Sequence, residues 1–198
     1  MSLLNPNYSL FILFFLLLFS CKKEVKEAAA KVYIVQTVGD TLDVFNDVYV
    51  FYNKSMNNTS GRNVTSDGYN LGLKWQCVEF VKRYYYLHLN HKMPNSYGHA
   101  KDFFNSKIKD GKLNTDRNLI QYTNTSLSKP KVNDLIIFDG NMFNPYGHVA
   151  IISKVNDDKI EIVQQNVGKR SRDTFALEFE NNLWTIKDNS ILGWLRKE

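Results

Sequence analysis

The sequence predicts an α+β domain, with a helix early in the chain and an antiparallel sheet built from consecutive strands after it. Three observations carry this. An amphipathic helical pattern runs from about Gln76 to His88. Two apolar runs, His148–Val155 and Lys159–Asn166, flank Asn156-Asp157-Asp158, the signature of a hairpin. Further short runs at Phe175–Phe179, Leu183–Ile186 and Ile191–Leu195 supply more strands. The 198 residues suit one domain with a sizeable core, and 43% apolar and 14% aromatic content exclude a largely disordered chain. Net charge is +5, but no Lys/Arg-rich run exceeds Lys22-Lys23, so nucleic acid is not an expected partner.

The first twenty residues bear on the compartment. Leu10 to Phe19 is an unbroken apolar run of ten, followed by Ser20-Cys21-Lys22-Lys23-Glu24. Ten residues suit a signal-peptide core and fall short of the ~20 that span a bilayer. Leu18-Phe19-Ser20-Cys21 resembles a bacterial lipobox, in which Cys21 is lipidated. Two features depart from that pattern: no Lys or Arg precedes the run, and Phe19 is bulky for its place. The expectation is a signal peptide over 1–20 and a polar tether over 21–33. The protein would then be a membrane-anchored lipoprotein on the periplasmic or cell-surface side, touching the membrane through its lipid alone.

The elements follow in order. Lys31–Val35 and Asp47–Tyr52 are short β-prone runs, and Asn53 to Asn70 reads as a surface loop. In the helix, Val78, Val81, Tyr84, Tyr85 and Leu87 share the apolar spacing, while Glu79, Lys82 and Arg83 carry the charge. Asn90 and Pro94 stop it. A second short helix is expected around Gly98–Phe104; residues 105 to 133 give no clear pattern. Asp134–Asp139 is a strand, then a loop from Gly140 to Gly147 leads into the hairpin. No repeat or linker divides residues 32–198.

Cys77 sits in the first turn of the helix, where free N–H groups and the helix dipole favour a thiolate. With Cys21 lipidated, it is the one thiol left, with no disulfide partner. It is then either a small buried hydrophobe or a nucleophile. A nucleophile needs a base. His88 and His91 lie 11 and 14 residues further along or beyond the same helix, too far to fold back, and His99 has no support. His148 opens a strand at a sheet rim and is the base by elimination. Strand parity puts Ile160, Ile162, Gln164 and Asn166 on one face. A three-residue hairpin loop sets Asn166 opposite His148 with Gln164 on the diagonal, and a register shifted by two reverses this. The orienting group is thus Gln164 or Asn166, an amide in either case, unless both are ordinary polar residues at a strand end. The oxyanion would be held by the Cys77 N–H and by Gln76 or a neighbouring donor, with Gln76 and Asn166 the candidate oxyanion or substrate-binding residues. No metal-ligand set and no phosphate loop is visible, so no cofactor is implied.

Trp75-Gln76-Cys77-Val78-Glu79-Phe80, Gly147-His148-Val149-Ala150-Ile151-Ile152, Gln164-Gln165-Asn166-Val167 and Ile191-Leu192-Gly193-Trp194 resemble the CHAP family of cysteine/histidine-dependent amidohydrolases and peptidases. Within it they are similar to the amidase domain of glutathionylspermidine synthetase/amidases. The resemblance covers about residues 40–196. It implies a papain-like (CHAP/NlpC-P60-like) fold with an N-terminal catalytic helix packed on an antiparallel sheet, over 34–198, with Cys77 as nucleophile and His148 as base. Gln164 departs from the carboxylate found there. The expected function is a thioester-forming amidohydrolase or endopeptidase acting on peptidoglycan peptides at the cell envelope. Alternatives are an amidase on glutathionylspermidine-like γ-glutamyl conjugates and a non-catalytic wall-binding module.

Overall fold

The structure, a computed structural model, describes residues 35–198. The expected signal peptide, Cys21 and the tether lie outside the described residues. So does the run at 31–35, except Val35, which is in no strand.

Gln36–Glu198 is built mostly from antiparallel sheet. β1 (Thr41–Phe45) and β2 (Val48–Phe51) form a hairpin. Its two-residue turn has Asn46 and Asp47 at φ 47° and 61°, the handedness that matches strand twist and that these residue types tolerate. β3 (Arg62–Val64) and β4 (Asn70–Leu73) form a second ribbon. The helix α1 (Cys77–Leu87) follows. A single 3-10 turn at Lys101–Phe103 stands where a second helix was expected. The remaining strands are β5 (Lys112–Asn114), β6 (Leu119–Thr123), β7 (Leu135–Phe138), β8 (His148–Val155), β9 (Lys159–Val163), β10 (Arg172–Glu180), β11 (Leu183–Ile186) and β12 (Ile191–Arg196). They make one eight-stranded sheet in the order β11-β10-β9-β8-β7-β12-β6-β5.

The expected fold class is therefore corrected. Instead of an α+β, papain-like fold, the described residues are mostly antiparallel β, with one helix of 11 residues. The reason lies in one segment that reads as loop and one that gives no clear pattern. Residues 53–70 and 105–133 are polar, yet they contain β3, β5 and β6. In β5 and β6 the polar side chains Asn114 and Gln121 are buried with partners: Asn114 donates to the Phe103 carbonyl at 3.0 Å and to Gln121 Oε1 at 3.0 Å, and Gln121 donates to the Asn105 carbonyl at 2.9 Å. A buried amide that is fully bonded is stable in a sheet but looks like loop in the sequence.

Two apolar layers lie on the two faces of the sheet. Leu135, Ile137, Val149 and Ile151 pack with Phe80, Val81, Tyr84 and Tyr85 of α1. Ile136, Ala150, Ile152, Ile160 and Ile162 pack with Leu177, Ile186 and Trp194. Central β7 is thus buried on both faces and is apolar at every position. Each fully buried Leu, Ile or Val stabilises by roughly 1.5–3 kcal/mol relative to exposure.

The charged residues of α1 are taken up in the interior. Glu79 and Lys82 are fully buried and Arg83 nearly so. Glu79 and Arg83 neutralise each other one turn apart, with Arg83 Nε donating to Glu79 Oε1 at 2.7 Å. Lys82 donates to the carbonyls of Asn70 and Ser96, and burial lowers its pKa to about 7.

Candidate active site

Cys77 is the first residue of α1 and is buried, with a free thiol. Gln76 before it is extended, with φ −79° and ψ 161°, and turns the chain from the β3–β4 ribbon into the helix. Around the sulfur, the backbone N–H groups of Val149, Val78 and Cys77 favour the anion without deciding the balance. Burial is the larger effect and pushes the thiol above its ordinary 9.0. The thiolate expected from the helix terminus alone is thus outweighed by desolvation, and the resting group is a neutral thiol.

Cys77 packs in the same buried layer as Val149, near the start of β8 and one residue from His148. Gly147 makes the approach to this strand feasible: at φ 74°, a Cβ there would fall 2.5 Å from the Phe138 carbonyl oxygen and 2.9 Å from Lys101 Cβ. The His148 imidazole lies beside the Phe138 ring, with centroids 5.7 Å apart. Its Nε2 is 3.0 Å from Gln164 Oε1. With the amide oxygen accepting, Nε2 carries the proton and Nδ1 is the free acceptor. Burial lowers the imidazole pKa to about 4, Gln164 opposes this, and the nearby Arg170 cation adds to it.

This shift has a sign that can be checked. The folded state holds His148 neutral where an unfolded chain, at 6.5, would take a proton. The stability this gives is complete above pH 6.5 and is lost as pH falls toward 4. Thermal melts between pH 7 and 4 should therefore show a falling midpoint, and His148→Asn should lack part of that fall. Gln164→Glu places a carboxylate on Nε2 and should raise the imidazole midpoint from about 4 toward its ordinary 6.5. An NMR titration of the His148 ring protons reads this directly; an unmoved midpoint would mean the two side chains do not touch.

Of the two amides expected to orient His148, the structure brings up Gln164 and not Asn166. The β8–β9 ladder includes Ile151 opposite Val163, and β9 ends there, so the expected His148–Asn166 pair is not formed. Asn166 has φ 70°, which breaks the period-two alternation and turns it from the strand. Its Nδ2 donates to Gln76 Oε1 at 2.6 Å and to the Met56 carbonyl at 3.1 Å, and its Oδ1 accepts from Asn53 at 2.8 Å. Gln76 spends both amide hydrogens on the carbonyls of Met56 and Asn58, at 3.0 and 2.7 Å. It can therefore donate to an oxyanion only by exchanging one of these bonds.

The other histidines lie elsewhere. His88 caps the far end of α1, and buried His91 bonds the Arg117 carbonyl at 2.9 Å. His99 is exposed, its ring 4.6 Å from that of Tyr146 and tilted by 37°. Two residues that sequence reasoning did not single out brace the site. Buried Asn53 donates to Asn166 and accepts from the Trp75 N–H at 3.3 Å. Gln165 bonds the Gln76 carbonyl and the Glu79 carboxylate. The legible signal was the Glu79–Arg83 spacing of four, which marks a pair able to be buried.

Among the described residues, no three His, Cys, Asp or Glu side chains cluster as metal ligands. The arrangement presents a neutral thiol, an imidazole held through one nitrogen, and a helix-terminal N–H beside the sulfur. Such a set can move a proton from sulfur while the sulfur attacks a carbonyl.

The chain is similar to known proteins over this same region. The family model described as the CHAP domain matches residues 67–166, which contain Cys77, His148, Gln164 and Asn166. A bifunctional glutathionylspermidine synthetase/amidase of Escherichia coli is 32% identical over 147 residues, 68% of this chain and 23% of that one. A trypanothione synthetase of Crithidia fasciculata is 28% identical over 157 residues, 73% of this chain and 24% of that one. The chain thus spans about a quarter of the length of the curated relatives it matches. A solved structure, that of Ly7917, aligns with a TM-score of 0.25 at 23% identity over 36% of this chain and 30% of that one, too little to carry an argument. With half of its 198 residues matched by the family model, this chain belongs to the CHAP domain family.

Proposed function

We propose that the protein is a cysteine amidohydrolase that cleaves an amide bond in peptidoglycan peptides at the cell envelope. One observation carries the chemistry: Cys77 opens α1 and packs in the same buried layer as Val149, the residue after a His148 whose Nε2 is 3.0 Å from Gln164 Oε1. The reaction begins from the neutral pair. The Cys77 sulfur attacks the amide carbonyl while His148 Nδ1 takes the thiol proton. The oxyanion receives the Cys77 N–H. The carbon–nitrogen bond then breaks, and His148 returns its proton to the leaving amine. Water, deprotonated by His148, hydrolyses the thioester to a carboxylic acid and restores the thiol. The transient imidazolium is steadied by an amide dipole rather than a carboxylate, which favours a slower enzyme than one with Glu at 164.

The peptidoglycan reading rests on the expected lipid anchor at Cys21, which would hold the domain against wall polymer. A second reading, hydrolysis of a glutathionylspermidine-like γ-glutamyl conjugate, is favoured by the likeness to the E. coli synthetase/amidase. Incubation with purified muropeptides and, separately, with glutathionylspermidine, followed by mass spectrometry of the products, distinguishes them. New paired amine and acid ends from muropeptides are expected. Cleavage of the conjugate alone would select the second reading. No turnover of either, with a thiol whose alkylation is indifferent to His148→Ala, would overturn the enzyme and leave a binding module.

A further inference from the structure

We propose that Gln165 is a positioning residue that aims the Cys77 N–H at the oxyanion. The inference rests on the reading of Cys77 as the nucleophile and adds a residue to it. The Gln76 carbonyl and the Cys77 N–H belong to one planar trans peptide, so they point in opposite directions. Whatever fixes the carbonyl fixes the direction of the N–H. Gln165 Nε2 donates to the Gln76 carbonyl oxygen at 3.1 Å, which also accepts the first helical bond, from the Phe80 N–H at 3.2 Å.

Gln165 is itself held at every polar atom. It is 1% exposed. Its Nε2 also donates to Glu79 Oε2 at 3.0 Å, and its Oε1 accepts from the Phe51 N–H at 2.7 Å and from Arg83 at 3.3 Å. These partners fix which end of the amide is which. A flipped Gln165 would set its oxygen against a carbonyl and a carboxylate, and its nitrogen against an N–H and a guanidinium. Glu79 is braced in turn by Arg83 Nε and by Asn63 Nδ2, both at 2.7 Å. The clamp therefore ends in a rigid, charge-neutral pair rather than a mobile chain.

Its place in the sequence gives it a further role. Gln164 and Gln165 are consecutive residues just past β9. Gln164 holds His148, and Gln165 holds the peptide that opens the Cys77 helix. One dipeptide thus sets the distance between the base and the oxyanion donor.

The test compares Gln165→Met, which keeps the volume and removes the amide, with Gln165→Asn, which keeps the amide but withdraws it by one methylene. Three readings are taken on each full-chain variant: turnover of the cleaved substrate, inhibition by a peptide aldehyde, and alkylation of Cys77 by iodoacetamide. The aldehyde adds the sulfur to its carbon, with the thiol proton passing to the oxygen, and so needs the oxyanion donor. Alkylation does not. A fall of about 10- to 100-fold in kcat and aldehyde affinity is expected for the Met variant, with KM and the alkylation rate nearly unchanged. The Asn variant should fall between it and wild type, and alone carries the test if the Met variant does not fold. Unchanged kcat in the Gln165 variants, or alkylation falling as far as kcat, would overturn the proposal. Wild-type protein whose Cys77 takes up neither reagent would instead overturn the nucleophile reading beneath it.

Discussion

Cys77→Ala is expected to lower amide hydrolysis by at least about 1,000-fold while leaving the protein folded and able to bind its substrate. In the proposed mechanism the sulfur is the atom that bonds the acyl group, so no neighbour can replace it. The cost in stability is small, because the substitution removes one buried atom, about 1 kcal/mol. His148→Ala should lower turnover to a similar extent, and the double variant should be little worse than either single one, since the two groups act in the same step. Steady-state rates on the substrate cleaved by wild type, with circular dichroism as a control for folding, make the measurement. A Cys77→Ala protein retaining a tenth of wild-type activity would place the chemistry elsewhere.

The second large effect concerns the sheet. Gly193 lies in β12 between β6 and β7, opposite Thr123, with a register shift between Ile191 and Gly193 on the β7 side. A Cβ there would fall 2.0 Å from the Tyr122 carbonyl oxygen and 3.0 Å from the Phe104 ring. The first clash is with backbone in the adjacent strand, so no rotamer relieves it. Gly193→Ala should cost about 3 kcal/mol or more, or prevent folding outright. Urea unfolding monitored by tryptophan fluorescence, with Trp194 buried beside the substitution, reports it. A midpoint equal to wild type would mean that β12 and β6 are not paired as described.

What was legible in the sequence and what was not follow from one distinction. Residues whose burial is apolar show their environment in their type. The helix limits at Gln76 and His88 are the observed caps of α1, and β8 and β11 have the bounds that their apolar runs mark. His148 at the head of its strand and Gln164 on its diagonal followed from turn length and parity, and these two meet at 3.0 Å. Residues buried because they are bonded to one another do not show it. Glu79, Lys82 and Arg83 show only as the charge of the helix, Asn114 and Gln121 lie in a stretch without clear pattern, and Gln165 carries no role beyond its place in a family-like motif. All six are buried. Missing β3, β5 and β6 is what tilted the expected class toward α+β. Asn166 failed for a different reason: a backbone at φ 70° breaks parity, and asparagine adopts that conformation without announcing it.

The strand order has a consequence in time. β12 lies in the middle of the large sheet, between β7 and β6, although residues 191–196 come after every other element. Until they are available, β5–β6 and β7–β11 are two fragments with an unpaired edge each, and Trp194 and Leu195 are missing from both apolar layers. A chain delivered from its amino terminus, by a ribosome or through a translocation pore, cannot close this sheet before residue 196 has emerged. Folding must then be a single late event governed by a long-range pairing, which is slow for its size and leaves sticky edges exposed while it waits.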